Sequence, residues 1–258
     1  MSAPSPTPLP PLRIDADGPV AHVRLIRPDK RNAVNVDLIL ALEAAFSAPP
    51  PGTRVWVISG EGDHFCAGLD LTEARQRTPQ ETFDHSQLWR RVFEKIQLGG
   101  IPVVSALHGA VVGGGLELAA STHVRVADET AFFALPEGQR GIFTGGGAAV
   151  RVARIIGVHR MIEMMLTGHR YDAREGLALG LAHYVVEPGK ALEKATALAE
   201  QIVTNAQGTN RAIVTALERI ATMPPDAGLF TESLVAALVE SSGEGYQRIT
   251  DFLERRVR

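Results

Sequence analysis

Two glutamates in apolar surroundings are the residues of this sequence best suited to do chemistry. Glu117 is the only charged residue in the window 111–120, and Glu137 follows Pro136 and the apolar segment 131–135. An ionised carboxylate in such surroundings is costly unless it is paired, so its pKa should be raised. Two such carboxylates are candidates for acid–base catalysis. A surface glutamate at position 137 and a helix-start glutamate at position 117, favoured by the helix dipole, would explain the same pattern.

Three glycine-rich stretches, at residues 60–71, 108–118 and 135–147, accompany these glutamates. A glycine run that follows a strand and opens a helix lets the backbone approach a ligand and leaves unpaired N–H groups pointing outward. Such a turn could bind a phosphate or a developing oxyanion, or it could serve only as a tight packing turn. Nucleotide-binding loops are disfavoured, because neither of the first two runs spells G-x-G-x-x-G and no Gly-Lys-Ser/Thr follows them.

The elements that must position these residues are strands and helices in alternation, followed by a helical third. Alternating or continuous apolar runs predict the strands Val20–Ile26, Arg54–Ser59, Pro102–Leu107, Val124–Ala127 and Ala131–Ala134. Helical spacing predicts helices at Val36–Phe46, Gln80–Gln97, Ala191–Thr204, Arg211–Thr222, Thr231–Glu240 and Tyr246–Arg255, with breaks near Gly157, Gly168, Gly180 and Pro188 between them. This order predicts an α/β core with a helical C-terminal region.

With these segments assembled, the chain from about Val20 to Arg256 resembles the crotonase superfamily of enoyl-CoA hydratases and isomerases. The resemblance rests on four segments in family order: Arg27–Asn35, Phe65–Leu71, Gly109–Leu118 and Gly141–Gly147. It implies an α/β crotonase-like fold, a ββα superhelix with a helical C-terminal trimerisation region. We accordingly expect a flexible arm at residues 1–12, a core with the active site at 13–200, and a helical region for oligomerisation and acyl-CoA cover at 201–258.

The resemblance implies a role for each matching residue. The backbone N–H groups of Leu69 and Gly114 would form an oxyanion hole for the enolate of a thioester. Glu117 would polarise the water that adds at C3, Glu137 would manage the proton delivered to C2, and the Gly145 N–H would help to hold the water. The favoured reaction is hydration of a 2-enoyl-CoA to a 3-hydroxyacyl-CoA.

The resemblance also implies where coenzyme A would lie. Ala67 and Leu69 would contact the adenine, Lys30 with Arg27 or Arg31 would contact the phosphates, and Arg255 or Arg256 could add a basic group. The remaining residues predicted to bind substrate are Asp70, Leu71, Trp89 and Gly113. We expect no separate cofactor, because coenzyme A is part of the substrate, and a homotrimer or a dimer of trimers.

Two other kinds of function stay open at this point. One is another crotonase reaction, such as double-bond isomerisation, aromatic hydratase–lyase cleavage or thioester hydrolysis. The other is a non-catalytic acyl-CoA-binding subunit, which would need Glu117 or Glu137 locked in a salt bridge away from the pocket. The loop after Glu137 departs from the family pattern, with Gln139-Arg140 where it is usually apolar and Phe143-Thr144-Gly145 in place of Ile-Pro-Gly. This departure bears on the substrate more than on the fold.

Composition narrows the class of protein further. The chain has 258 residues, a net charge of -3, 45% hydrophobic residues and one cysteine, Cys66. These values give no reason to expect a nucleic-acid or membrane partner or a disulfide framework, and they suit a cytoplasmic protein. The eight histidines include no i, i+4 pair of the kind that binds zinc on a helix, so we expect no metal.

Overall fold

Parallel strands build the centre of the molecule. The computed structural model describes residues 10–73 and 76–256. Within them it has nine strands: β1 (Leu12–Asp17), β2 (Val20–Leu25), β3 (Val55–Gly60), β4 (Val103–Leu107), β5 (Ala110–Val112), β6 (Val124–Asp128), β7 (Phe132–Ala134), β8 (Tyr171–Asp172) and β9 (Tyr184–Val186). A six-stranded sheet has the order β1-β2-β3-β4-β6-β9 and a three-stranded sheet has the order β5-β7-β8. In the larger sheet only β1 pairs antiparallel; every other pair is parallel.

Ten α-helices complete the described chain. They are α1 (Val36–Ser47), α2 (Pro79–Leu98), α3 (Gly114–Ala120), α4 (Ala148–Ile156), α5 (Val158–Thr167), α6 (Ala173–Leu179), α7 (Ala191–Val203), α8 (Gln207–Ile220), α9 (Pro225–Glu240) and α10 (Gly243–Arg256). Asn35 caps α1, and Thr78 and Glu81 form a capping box that fixes the start of α2. None of these helices is long and apolar enough to cross a membrane.

The core lies on both faces of the larger sheet, which explains why β3 and β4 read as continuous apolar runs. One face carries the main cluster, including Ile58, Phe93 and Leu107, against α1, α2 and α3. The other face is covered by α7, whose small residues Ala195 and Ala199 allow the helix to pack closely on the strands. These two layers hold the carboxyl ends of β3 and β4 in fixed positions, and the glycine-rich stretches begin there.

The predicted α/β core with a helical C-terminal region is confirmed, with differences at the boundaries. Strand β1 was not predicted, and it begins at Leu12, inside the segment assigned to the arm; residues 1–9 lie outside the described chain. Its sequence, LRIDAD, is too polar to stand out, and it forms because it pairs with β2. The short strands β5, β8 and β9 were also missed as separate elements. Helices α8, α9 and α10 begin three to six residues earlier than predicted, since their first turns are polar or lack apolar periodicity.

Candidate active site

The turn after β2 is fixed by one buried amide side chain. Asn32 is fully buried and adopts the left-handed conformation, with φ of 54°. Its Oδ1 accepts from the Arg27 N–H at 2.8 Å, while its Nδ2 donates to the carbonyl oxygens of Glu61 at 2.9 Å and His64 at 2.7 Å. The asparagine therefore joins the turn to the loop after β3, and it satisfies three polar groups that would otherwise be costly to bury.

The first oxyanion segment, residues 65–71, is held against this turn. Val34 donates its N–H to the Gly68 carbonyl at 2.7 Å, and its carbonyl accepts from the Asp70 N–H at 2.9 Å. The Arg27 guanidinium binds the Asp70 carboxylate at 2.7 Å and also donates to the Ala33 carbonyl. Between these contacts the Leu69 N–H donates to no acceptor among the described residues.

The Asp70 carboxylate is ionised at every working pH. Burial alone would raise its pKa, but hydrogen bonds from the Thr72 hydroxyl, Arg27 and the Thr72 backbone lower the pKa to about 2. Asp70 is thus an anchor of the segment, 4% exposed.

The second oxyanion segment, residues 108–118, lies beside the first. Cys66 donates its N–H to the Ala110 carbonyl at 2.9 Å and accepts from the Val112 N–H at 3.1 Å. A Cβ atom at Gly68 would come within 2.8 Å of the Val112 oxygen and 3.2 Å of the Gly114 nitrogen, so only glycine permits this approach. Burial raises the pKa of the Cys66 thiol to about 12, which keeps it neutral and makes it a packing residue rather than a nucleophile.

The free N–H of Gly114 stands at the first position of α3. The preceding Gly113 N–H is already used by the Ala134 carbonyl at 2.9 Å, whereas the Gly114 N–H has no acceptor among the described residues. The Leu69 nitrogen lies 3.6 Å from the point where a Gly114 Cβ would be. Two unpaired N–H donors therefore sit side by side, with the positive end of α3 behind one of them.

Glu117 lies in the first turn of α3 and is 3% exposed. Its Oε1 accepts the backbone N–H groups of Gly146 at 2.8 Å and Ala148 at 3.0 Å. Burial raises the pKa of this carboxyl above its usual value, against the opposing effect of these hydrogen bonds and of the Arg151 charge. Glu117 is thus a helix-start glutamate, as the alternative for it required, but its carboxylate is also buried and holds the glycine loop.

Glu137 follows β7 and is 6% exposed. Its Oε2 is buried without a hydrogen-bond partner among the described residues, and its Oε1 lies 3.1 Å from where a Gly113 Cβ would be. Burial, together with the nearby Glu117 charge, raises the pKa of Glu137 to about 7. The alternative of a surface glutamate at position 137 is therefore wrong. A carboxyl that titrates near neutrality can both give and take a proton.

One cavity of about 470 Å³ collects these groups. Its wall contains Leu69, Gly114, Glu117, Glu137, Gly145 and Trp89. Trp89 is 4% exposed, packs edge to face on Phe93, and would collide with a side chain at Gly114, since its Cζ3 atom lies 2.5 Å from that Cβ position. All five residues predicted to be catalytic thus meet around one space.

The residues predicted to bind coenzyme A divide into two groups. Leu69, Leu71, Trp89 and Gly113 line the cavity. Arg27, Lys30, Arg31, Ala67 and Asp70 do not; they lie on or beside the turn after β2. Arg27 binds Asp70 and Ala33 and so holds the first oxyanion segment in place. The phosphate contact stays a prediction, for which the exposed Lys30 and Arg31 are better placed. The side chains of Arg255 and Arg256 lie outside what the structure describes.

Sequence reasoning missed the residues that hold the loop after Glu137. The Ser86 hydroxyl on α2 donates to the Gly145 carbonyl at 2.7 Å, and Arg77, Arg140 and Thr144 line the cavity. For Arg140 the signal was the departure from the family pattern, whereas Ser86 and Arg77 carry no sequence signal because their positions follow from tertiary packing. The described residues include no group of three or more metal-ligating side chains.

Comparisons with known proteins agree with this geometry. A family model described as enoyl-CoA hydratase/isomerase matches residues 15–257. The short-chain-enoyl-CoA hydratase of Clostridium acetobutylicum is 30% identical over 94% of each chain. The enoyl-CoA isomerase/hydratase fer4 of Mycosarcoma maydis is 33% identical over 83% of this chain and 82% of its own.

A solved structure gives the same assignment. A Rhodopseudomonas palustris protein with a provisional enoyl-CoA hydratase name superposes with a TM-score of 0.93, at 49% identity over 96% of each chain. The cavity, its two carboxylates and the match over nearly the whole chain lead to one conclusion: the chain belongs to the enoyl-CoA hydratase/isomerase family and has the crotonase fold.

Proposed function

We propose that this enzyme hydrates a 2-enoyl-CoA to a 3-hydroxyacyl-CoA. The observation that carries the proposal is one cavity in which two buried carboxylates face two unpaired backbone N–H groups. The hydratase names of the relatives in Clostridium acetobutylicum and Rhodopseudomonas palustris support it.

The two N–H groups act on the thioester. Leu69 and Gly114 donate to its carbonyl oxygen, which gains negative charge as water adds at C3 and an enolate forms. Fixed donors in a site with little water stabilise such an oxygen without reorganising, and each is worth about 3–4 kcal/mol in the transition state.

Glu117 orients and activates the water. Its Oε1 is occupied by the Gly146 and Ala148 N–H groups, which leaves Oε2 as the oxygen that accepts from water. The Gly145 N–H is a second contact for this water. As the C3–O bond forms, the water proton passes to Glu117.

Glu137 supplies the proton for C2. With a pKa of about 7 it is protonated in a large fraction of molecules at neutral pH, and it donates to the enolate carbon. The pair of carboxyls gains one proton from water and loses one to C2, so the number of bound protons is the same before and after the reaction.

Double-bond isomerisation is the second candidate, because it needs only the enolate site and one proton carrier. The unpartnered Oε2 of Glu137 would suit it, and one relative carries the name isomerase/hydratase. The binding-subunit alternative is disfavoured, since neither Glu117 nor Glu137 forms a salt bridge with a described residue and both line the cavity.

The decisive experiment follows the enoyl-thioester absorbance with crotonyl-CoA and a long-chain 2-enoyl-CoA. We expect rapid loss with the wild type and a fall in kcat of about 10²–10⁴ in Glu117→Gln and in Glu137→Gln. Glu200→Gln, an exposed position on α7, is the matched control and should behave like the wild type. Absence of hydration with both substrates, while a 3-enoyl-CoA is converted, would replace hydration by isomerisation.

Assembly and coenzyme A binding belong to the same proposal. A homotrimer or a dimer of trimers is supported by large apolar side chains exposed on α9 and α10, including Phe230, Leu238 and Tyr246. Lys30 and Arg31, exposed beside the first oxyanion segment, are the proposed phosphate contacts, and Ala67 and Leu69 are the proposed adenine contacts. Light scattering, and binding of coenzyme A to Lys30→Gln and Arg31→Gln, test these two parts.

A further inference from the structure

Two arginines in the cavity wall have no partner in the chemistry described above. Arg77 lies just before the N-cap of α2, and Arg140 ends the short helical turn that follows Glu137. Both line the cavity, Arg77 from the segment before α2 and Arg140 from the loop after Glu137. Neither guanidinium forms a hydrogen bond or an ion pair within the part of the chain that the structure describes.

Other hydrogen-bond donors of the same wall are also unsatisfied. The Trp89 Nε1–H and the Thr144 hydroxyl are buried and lack a partner among the described residues. A purely hydrocarbon chain in the cavity would leave these buried donors without an acceptor, which is unfavourable. Besides its two carboxylates, the wall therefore presents two unsatisfied donors and two guanidinium groups to a bound ligand.

These cations are not needed for the phosphates of coenzyme A. The exposed Lys30 and Arg31 lie on the turn after β2 and do not line this cavity, so they offer phosphate contacts at a separate place. Arg140, in contrast, follows Glu137 by three residues, and its charge acts on that carboxyl. It therefore stands close to the carboxyl that is proposed to act on C2 of the acyl group.

We propose that the acyl chain taken by this cavity carries a carboxylate at its far end, which Arg77 and Arg140 bind. The proposal deepens the assignment of the cavity as an acyl-CoA site and rests on it. A guanidinium fork matches a carboxylate in geometry and charge, whereas a methyl terminus offers neither guanidinium an acceptor. Leu71 and Ile142 line the same cavity and supply apolar contact for the methylene groups between the two ends.

Equilibrium binding tests this without requiring turnover. Saturated acyl-CoA thioesters of equal length that end in a carboxylate, a carboxamide or a methyl group are titrated into the full-length protein by calorimetry. We expect the carboxylate ligand to bind tightest, and the ratio of its affinity to that of the methyl ligand to fall about tenfold or more in Arg77→Gln and in Arg140→Gln, as on loss of a hydrogen bond to a charged group. Arg90→Gln, on α2 but at a different cavity, is the matched control and should keep the wild-type ratio.

Two outcomes would overturn the proposal. The first is a wild type that binds the three ligands with equal affinity. The second is a loss of affinity in the variants that is equal for all three ligands, which would show that the arginines contact solvent or coenzyme A instead of the acyl terminus. Circular dichroism of each variant shows whether it is folded, and the double variant Arg77→Lys/Arg140→Lys, which keeps both charges, should retain most of the preference. If all three thioesters bind with that preference but no enoyl-CoA is hydrated, hydration fails while the carboxylate site stands.

Discussion

The helix that carries Glu117 and the loop that follows Glu137 hold their carboxylates in different ways. Every residue of α3 is buried, and Glu117 accepts two backbone N–H groups. In the loop, residues 138–143 are exposed, Phe143 is 73% exposed, and one oxygen of Glu137 has no partner.

The two regions meet at a single contact. The N–H groups that Glu117 accepts belong to Gly146 and Ala148, which end the loop and begin α4. One carboxylate is thus both a catalytic candidate and the anchor of the second region. The comparison indicates a buried half, where the thioester is proposed to bind, and an exposed half, where the variable part of the acyl group is proposed to lie.

The largest effect is expected where the two regions join. Glu117→Ala removes the acceptor of two backbone N–H groups as well as the activating carboxylate, whereas Glu117→Gln keeps an oxygen for them. We expect both to lose about 10²–10⁴ in kcat, but only the alanine variant to accelerate hydrogen exchange at Gly146 and Ala148. Glu137→Ala should lose activity without that acceleration, and equal exchange in all three variants would break the comparison.

The second largest effect is expected in the pH dependence of stability, through the unpartnered carboxyl of Glu137. The pKa of Glu137 rises from 4.5 to about 7 on folding, so the folded state binds more protons between these values. The stability associated with this proton is complete below pH 4.5 and is lost as pH rises to 7, by up to about 3 kcal/mol. Urea unfolding between pH 5 and 8 should show this decline in the wild type and a flatter profile in Glu137→Gln. The hydration rate, kcat/KM, should fall above pH 7 for the same reason.

A smaller effect with the opposite sign is expected in the buried half. Asp70 has a pKa of about 2 in place of 3.8, so its stabilising contribution is present above pH 4 and is lost as pH falls toward 2, by about 2 kcal/mol. Asp70→Asn should remove this acid sensitivity, which acid unfolding followed by circular dichroism measures. If the variant unfolds along the wild-type acid curve, the Arg27–Asp70 pair is not what holds the segment.

The smallest effect should come from the link between α2 and the loop. Ser86→Ala removes the hydrogen bond to the Gly145 carbonyl, at a cost of about 1 kcal/mol. Because Gly145 also carries the N–H that is proposed to hold the attacking water, we expect kcat to fall a few fold, with a smaller change in KM. Steady-state kinetics with one good substrate decide this, and an unchanged kcat would show that the Ser86 contact does not position the loop for the reaction.

Much of the site could be predicted from sequence because its anchors are local. The glycine runs at strand ends, the isolated Glu117 and the segment from Arg27 to Asn35 are each recognisable in the sequence. The pairing of Arg27 with Asp70, 43 residues away, leaves none. The residue type and position of Arg27 fitted a phosphate contact, and only the fold shows that its guanidinium binds the Asp70 carboxylate.

The same reason explains the missed elements of the fold. Strand β1 is polar and forms because it pairs with the neighbouring strand β2. Strands β5 and β8 join β7 from other parts of the chain, and two or three residues are too few for periodicity. Conversely, β3, α2 and α7 were located correctly to within a few residues, since each buries a long face whose spacing is visible.

The unpaired donors of the proposed oxyanion hole are main-chain atoms, and this has a consequence for inheritance. A codon change at position 69 leaves the Leu69 N–H in place, so that position should tolerate many side chains. The direction of this N–H is fixed by other residues. Gly68 has no side chain and so permits the close approach of Val112, and Asn32 holds the turn with three hydrogen bonds. A mutational scan of the gene should therefore tolerate fewer substitutions at Gly68 and Asn32 than at Leu69.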